Sequence, residues 1–185
     1  MAMDRVQDRL LRVSAALDAA GIPYAVVGGN AVAAWVAKAN PAATRTTKDV
    51  DILVARADLG RVTAVMQQLG FKREILRSLV VFLDPAEPDR RSGVHLVWAS
   101  EKVRPSNLHP APDVRESIRD VEYQVLDLSA LVRMKLTSFR DIDRVHVADL
   151  LSVGLIDDRI RNSLPSDLQI RLDEIEQSRD TELDE

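Results

Sequence analysis

Hydrophobic and polar residues follow two periods along this chain, and each period predicts one kind of element. Apolar residues three or four positions apart are typical of amphipathic helices, and short apolar runs are typical of buried strands. The helical spacing predicts helices at residues 4–20, 30–38, 58–69, 129–139, 143–153 and 157–177, the last broken at Pro165. The short runs predict strands at residues 24–28, 49–54, 79–83, 94–98 and 123–126.

The order of these elements predicts the fold class. Helices and strands alternate at first, the strands 79–83 and 94–98 form a predicted hairpin, and helices follow the last strand. This order favours an α+β fold that combines a small mixed β-sheet with flanking helices and a helical C-terminal part. We expect a core at residues 1–127, the helical part at 128–179 and a frayed acidic tail at 180–185.

Composition narrows the class of protein. The chain has 185 residues, 46% of them hydrophobic, which is enough for the core of one domain. Its apolar runs fall short of the roughly 18 residues that indicate a transmembrane helix, and its charged N-terminus does not resemble a signal peptide. The absence of cysteine excludes disulfides and thiolate metal sites, and it fits a cytoplasmic protein. A net charge of −4 argues against a protein that coats nucleic acid.

Two carboxylates, Asp49 and Asp51, stand two residues apart at the start of a predicted strand. Side chains at such positions point to the same face of a strand, so the two anions repel each other unless a cation lies between them. Mg²⁺ prefers hard oxygen ligands of this kind together with phosphates. The pair is therefore a candidate metal site, and a solvated strand edge is the structural alternative.

A pair of glycines, Gly28 and Gly29, lies where a predicted strand meets a predicted helix. Glycines at such a turn allow backbone amides to approach a phosphate, and Asn30 is the predicted N-cap of the helix. A tight turn without a ligand is the structural alternative. The cations Arg45 and Lys48 precede the two acids, where they could neutralise phosphates or simply belong to a charged loop.

Together these motifs resemble the nucleotidyltransferase superfamily, whose sheet is like that of DNA polymerase β. The similar segments are Val27-Gly28-Gly29-Asn30, Arg45-Thr46-Thr47-Lys48-Asp49-Val50-Asp51, and the stretch from Leu131 to Leu151. The stretch from the two glycines through Asp51 is most similar to the AbiEii-type toxin branch and to the small antibiotic nucleotidyltransferases. The resemblance covers roughly residues 5–155.

The resemblance implies that the protein moves a nucleoside monophosphate from an NTP to a hydroxyl group, with Mg²⁺ or Mn²⁺ as the cofactor. The residues that it assigns to nucleotide binding are Gly28, Gly29, Asn30, Lys48 and Lys135. It assigns metal binding to Asp49 and Asp51, which together with His95 form the catalytic set. The acceptor could be an RNA end, a protein side chain or a small molecule, and an antitoxin protein is a candidate partner.

His95 departs from the pattern of the superfamily. Members usually carry a third carboxylate on a later strand, and His95 stands at the matching position in Gly93-Val94-His95-Leu96. Imidazole is a poorer ligand for Mg²⁺ than carboxylate, although it can act as a general base near neutral pH. The alternative function is therefore a catalytically degenerate nucleotide-binding or regulatory protein.

Lys135 falls on the apolar stripe of the helix that Ser129 is predicted to cap. A lysine at such a position either extends to the surface or faces an anion that compensates its charge. The resemblance favours contact with the triphosphate. Asp149, on the next predicted helix, could orient Lys135 or Arg140, or it could form a structural pair.

Overall fold

The computed structural model describes residues 2–77 and 79–183, with side chains over residues 5–77 and 79–179. Its strands β1 to β7 are Tyr24–Val27, Val50–Val54, Lys72–Leu76, Leu79–Leu83, Val94–Trp98, Ser117–Arg119 and Gln124–Leu126. Its helices α1 to α7 are Ala2–Ala19, Gly28–Ala39, Leu59–Gln68, Leu128–Ser138, Asp141–Ser152, Asp158–Ser163 and Ser166–Leu183. The predicted α+β fold with a mixed sheet and a helical C-terminal part is confirmed.

The strands form one sheet in the order β3-β4-β5-β2-β1-β7-β6. Strand β2 runs parallel to β5, β1 runs parallel to β7, and the other neighbours are antiparallel. Every side chain of β1 is buried, which explains its uninterrupted apolar run and shows that both faces of the sheet are covered at its centre. The predicted hairpin 79–98 is present as the antiparallel pair β4 and β5.

Two strands were missing from the sequence-based prediction. Strand β3, Lys72–Leu76, is an edge strand that begins with three charged residues, so it has no alternating apolar face. Strand β6, Ser117–Arg119, has three residues and forms the other edge. Neither strand gives the pattern on which a sequence-based assignment depends.

Two predicted helix starts were also wrong. Helix α2 begins at Gly28 with Val27 as its N-cap, so Asn30 lies inside the helix. Asp127, rather than Ser129, caps α4, because its side chain accepts hydrogen bonds from the Ser129 and Ala130 amides. The two errors have different causes. Helix α2 begins without a side-chain cap, so a capping residue type at position 30 was misleading, whereas in α4 two capping residue types, Asp127 and Ser129, lie two positions apart.

The C-terminal helices pack onto the core through both apolar and charged contacts. Leu168 and Leu172 of α7 are fully buried, and Arg171 donates hydrogen bonds to the Leu136 and Thr137 carbonyls at the end of α4. The predicted tail 180–185 lies partly outside the described residues, since α7 is described to Leu183. Among the described helices, none combines the length and the apolar character that a bilayer crossing requires.

Candidate active site

The register of two parallel strands brings His95 beside the two acids. Asp51 on β2 is directly opposite His95 on β5, and Asp49 precedes Asp51 by two residues. Nδ1 of His95 lies 3.4 Å from Oδ1 of Asp51 and 3.6 Å from Oδ2 of Asp49. The three side chains therefore converge on one point at the N-terminal ends of two neighbouring strands.

The geometry of this group fits a divalent cation. One ligand atom from each member of this triad, Asp49, Asp51 and His95, lies within 4.8 Å of the other two. Ligands of a Mg²⁺ ion stand about 2.1 Å from the metal, so atoms around one ion are roughly 3 to 4 Å apart. Two carboxylate oxygens and one imidazole nitrogen can bind either Mg²⁺ or Mn²⁺. The remaining coordination positions of a bound ion would be available to phosphate oxygens.

The backbone fixes which nitrogen of His95 faces the acids. Nε2 donates a hydrogen bond to the Arg90 carbonyl, 2.8 Å away, so Nδ1 is the nitrogen that faces Asp49 and Asp51. The protonated ring donates from Nδ1 to Asp51, and the neutral ring offers the Nδ1 lone pair to a cation. Burial lowers the pKa of His95, but hydrogen bonds to Asp51 and to the Arg90 carbonyl and the charges of both acids outweigh it and raise the pKa overall.

The two glycines make room for the segment that carries the acids. Gly28 has a φ of +65°, and a β-carbon there would lie 2.0 Å from Oδ2 of Asp51. A β-carbon on Gly29 would lie 3.2 Å from the β-carbon of Thr47. Both positions lie at the start of α2, so the glycine pair allows this helix to pack directly against residues 47–51, the metal-site segment.

Asp49 is held by hydrogen bonds from two sides. Thr47 Oγ1 donates to Oδ1 of Asp49 over 2.7 Å, and Asn30 Nδ2 donates to the backbone carbonyl of Asp49 over 2.7 Å. The Asn30 side chain therefore joins α2 to the metal-site segment. The side chain of Lys48, the residue before Asp49, is exposed to solvent.

A buried arginine on α1 supports the same segment from behind. Arg9 is 1% exposed; it donates to Asp84 and Glu87 and reaches the Lys48 carbonyl over 3.4 Å. Such a group is stable in the interior only when its donors are paired, as they are here. The network connects α1, the turn after β4 and the backbone next to Asp49.

A second charged cluster surrounds Lys135. This lysine is only 4% exposed, and its ammonium group lies 3.1 Å from Asp143, which also bonds Arg140 and Ser138. Burial alone would raise the pKa of Asp143, but these neighbours hold it well below its ordinary range. Lys135 therefore faces a compensating anion and does not extend to the surface. Asp149, the alternative partner considered from sequence, bonds Arg45 over 2.6 Å.

Arg140 links this cluster to the acids. Half of its side chain is exposed. Its pKa is raised first by the hydrogen bond to Asp143 and further by the charges of Asp51 and Asp49. Arg140 thus lies within electrostatic range of the proposed metal ligands. Thr47 and Asp143 were not selected from sequence, because their importance depends on contacts between separate elements.

The sequence of this chain matches a known protein family. A family model described as an uncharacterised nucleotidyltransferase matches residues 2–130, more than half of the chain. No curated protein matches this chain. The AbiEii branch is not identified by any of these comparisons and stays a prediction.

Three solved structures share the fold. The solution structure of the antibiotic-resistance factor ANT(2″)-Ia is 19% identical in sequence and has a TM-score of 0.53; the alignment covers 100% of this chain and 97% of that chain. Its crystal structure with adenylyl-2″-tobramycin is 13% identical, with coverages of 95% and 99% and a TM-score of 0.54. An antigenic nucleotidyltransferase-like protein from Paracoccidioides brasiliensis is 14% identical, with coverages of 98% and 91% and a TM-score of 0.60. The family match and the shared fold together show that this chain belongs to the family described as uncharacterised nucleotidyltransferases.

Proposed function

We propose that this protein transfers a nucleoside monophosphate from an NTP to a hydroxyl group, with Mg²⁺ or Mn²⁺ bound by Asp49 and Asp51. One observation carries the proposal: the β2–β5 register sets Nδ1 of His95 3.4 Å from Asp51 and 3.6 Å from Asp49. The family match supports nucleotide chemistry at this point of the fold. A bound cation would neutralise phosphate charge and favour in-line displacement at the α-phosphorus.

The surrounding residues would hold the triphosphate. The amides of Gly28 and Gly29, at the N-terminus of α2, are suited to phosphate oxygens, and Asn30 follows them in the same turn. Lys48 is exposed beside the acids. Lys135 is buried against Asp143, so it would add to the positive charge of its cluster from within, and Arg140 is the cation of that cluster exposed enough to contact a phosphate. These cations would stabilise the charge that develops on the leaving pyrophosphate.

The reaction balances as a displacement at phosphorus. The acceptor hydroxyl oxygen forms a bond to the α-phosphorus, the bond to the bridging oxygen of pyrophosphate breaks, and the hydroxyl proton passes to a base. His95 presents only Nδ1 to the site, since Nε2 donates to Arg90. A neutral imidazole in this position can complete the metal ligands or accept that proton.

The finer assignment is an AbiEii-toxin-like enzyme. It rests on the motif Arg45-Thr46-Thr47-Lys48-Asp49-Val50-Asp51 and brings with it an antitoxin protein as partner. The candidate acceptors are an RNA end, a protein side chain and a small molecule. The shared fold of ANT(2″)-Ia, whose crystal complex contains adenylyl-2″-tobramycin, supports including small-molecule alcohols among the acceptors tested.

A transfer assay tests the proposal. Each of the four NTPs, labelled at the α-phosphate, is incubated with Mg²⁺ or Mn²⁺ and with RNA, protein or aminoglycoside acceptors. Labelled acceptor and released pyrophosphate are expected with the native protein and not with Asp49→Asn or Asp51→Asn. Asp58→Asn changes a half-buried acid that pairs with Arg61 after the C-terminal end of β2; it is the matched control and should retain transfer. Transfer that survives both triad substitutions would contradict the proposal.

His95 itself favours a second candidate function, a nucleotide-binding protein of the same fold without turnover. The two functions differ in the response to His95→Asp, which restores the carboxylate that the superfamily usually carries. A catalyst that uses the imidazole should lose transfer in this variant. A degenerate protein should show no transfer in its native form and should gain it, or gain Mg²⁺-dependent NTP binding, after the substitution.

A further inference from the structure

The two oxygens of the Asp49 carboxylate have different surroundings. Oδ1 accepts the hydrogen bond from Thr47 Oγ1 at 2.7 Å, whereas Oδ2 faces His95 Nδ1 at 3.6 Å and belongs to the proposed metal site. A carboxylate with no such partner can rotate and can bind a cation through both oxygens. Here the hydroxyl group of Thr47 occupies one oxygen and leaves the other directed at the metal position.

Thr47 is itself held in place by its neighbours. Its side chain packs on Gly29, where a β-carbon would approach within 3.2 Å, so the bare backbone of α2 forms the surface beneath it. The Asn30 side chain fixes the Asp49 carbonyl in the same region. The first turn of α2 therefore supports the Thr47 side chain that carries the hydroxyl donor.

We propose that Thr47 is a positioning residue that makes Asp49 a one-oxygen metal ligand and orients it before the cation binds. This inference rests on the metal site of the proposed function. Groups that hydrogen-bond to metal ligands typically change metal affinity by about 10- to 100-fold when they are removed. Thr47 reaches the metal only through Asp49, so its loss weakens binding without removing a ligand.

Titration with Mn²⁺ alone, followed by calorimetry and by the electron paramagnetic resonance signal of the free ion, tests this inference on the full chain. Thr47→Val keeps the shape of the side chain and removes the donor, and we expect it to weaken Mn²⁺ binding about tenfold. Thr47→Ser restores the hydroxyl group and should return the affinity to within about threefold of the native value. Thr46→Val is the matched control, because Thr46 is exposed and makes no hydrogen bond through its hydroxyl among the described residues.

Each outcome has a distinct meaning. Native binding that Asp49→Asn abolishes, Thr47→Val weakens and Thr47→Ser restores supports the inference. Unchanged affinity in Thr47→Val overturns it and leaves the metal site intact. Equal weakening in Thr47→Val and Thr47→Ser, together with a lowered melting temperature, also overturns it, since the residue would then be structural. Absence of Mn²⁺ binding in the native protein would overturn the metal site of the proposed function and this inference with it.

Discussion

Oδ2 of Asp51 occupies the position that a side chain on Gly28 would need. A β-carbon there would lie 2.0 Å from this oxygen, and Gly28 also has a φ of +65°. The glycine is therefore required by the carboxylate next to it as well as by the turn. Its place in the motif has a structural explanation that holds whether or not a phosphate binds.

We expect Gly28→Ala to disable the metal site. The left-handed conformation costs an alanine about 1–2 kcal/mol, and the added β-carbon would displace the Asp51 carboxylate. Calorimetric titration with Mn²⁺ should show at least about a tenfold loss of affinity, and urea unfolding should show reduced stability. Gly60→Ala is the control, because Gly60 lies in α3 with open space around it. Native-like Mn²⁺ affinity in Gly28→Ala would show that Asp51 is not a ligand in this position.

Asp143 should be more important for stability than acids whose salt-bridge partners are exposed. Its carboxylate is almost fully buried beside Lys135, so Asp143→Asn would leave a buried ammonium group without its anion. Removing one partner of such a pair costs about 3–5 kcal/mol. Urea unfolding measures this loss.

Asp149→Asn is the matched variant for that comparison. Asp149 pairs with Arg45, whose side chain is 64% exposed, so this substitution should cost no more than about 1 kcal/mol. Similar losses of unfolding free energy in Asp143→Asn and Asp149→Asn would show that burial does not make the Lys135–Asp143 pair more important for stability.

His146 should make the protein sensitive to mild acid. Burial, followed by the charge of Lys135, lowers its pKa to about 4, and its Nδ1 atom is buried without a hydrogen-bond partner among the residues that the structure describes. An unfolded histidine has a pKa of about 6.5, so the unfolded chain binds more protons between these two values. The contribution of His146 to stability is therefore complete above pH 6.5 or so and is lost as the pH falls toward about 4.

The change in unfolding free energy between pH about 7 and about 4.5 measures this effect. The native protein should lose up to about 3 kcal/mol through His146, and His146→Leu should lose correspondingly less over the same interval. An identical loss in the two proteins would show that His146 keeps an ordinary pKa in the folded state.

The imidazole in the triad should determine metal preference. A nitrogen ligand favours Mn²⁺ over Mg²⁺, whereas three carboxylates suit Mg²⁺ better. We expect the native protein to bind Mn²⁺ at least about tenfold more tightly than Mg²⁺, and His95→Asp to reduce that ratio. Parallel titrations with the two ions measure it. A ratio that does not change would mean that Nδ1 of His95 is not a metal ligand.

Much of the sheet and of the triad could be predicted from sequence because the signals are local. The apolar runs of β1, β2, β4 and β5 reflect strands that are buried in the sheet. Asp49 and Asp51 share a face because of the two-residue period of a strand. His95 was found at the position where the superfamily usually carries its third carboxylate. The polar edge strand β3 was missed because an exposed edge needs no apolar pattern.

The supporting residues could not be predicted because they depend on tertiary contacts. Asp143 and Lys135 belong to different helices, and their pairing depends on how α5 packs against α4. The Thr47 hydroxyl is important only because Gly29 places it against Asp49. Arg9 is 78 positions before Glu87, and a charged residue in an amphipathic helix is ordinarily exposed. Sequence therefore identified the groups that carry the proposed chemistry, and the structure identified those that hold them.

Calorimetric titration of the native protein with ATP, GTP, CTP and UTP, in Mn²⁺ or Mg²⁺ and again in EDTA, tests the central claim most directly. The proposed site predicts binding of at least one NTP that requires the metal, disappears in Asp49→Asn and persists in Asp58→Asn. The NTP that binds then becomes the donor in transfer assays. Binding that is unaffected by EDTA and by Asp49→Asn, or no binding to any of the four, would contradict a metal–nucleotide site at Asp49, Asp51 and His95.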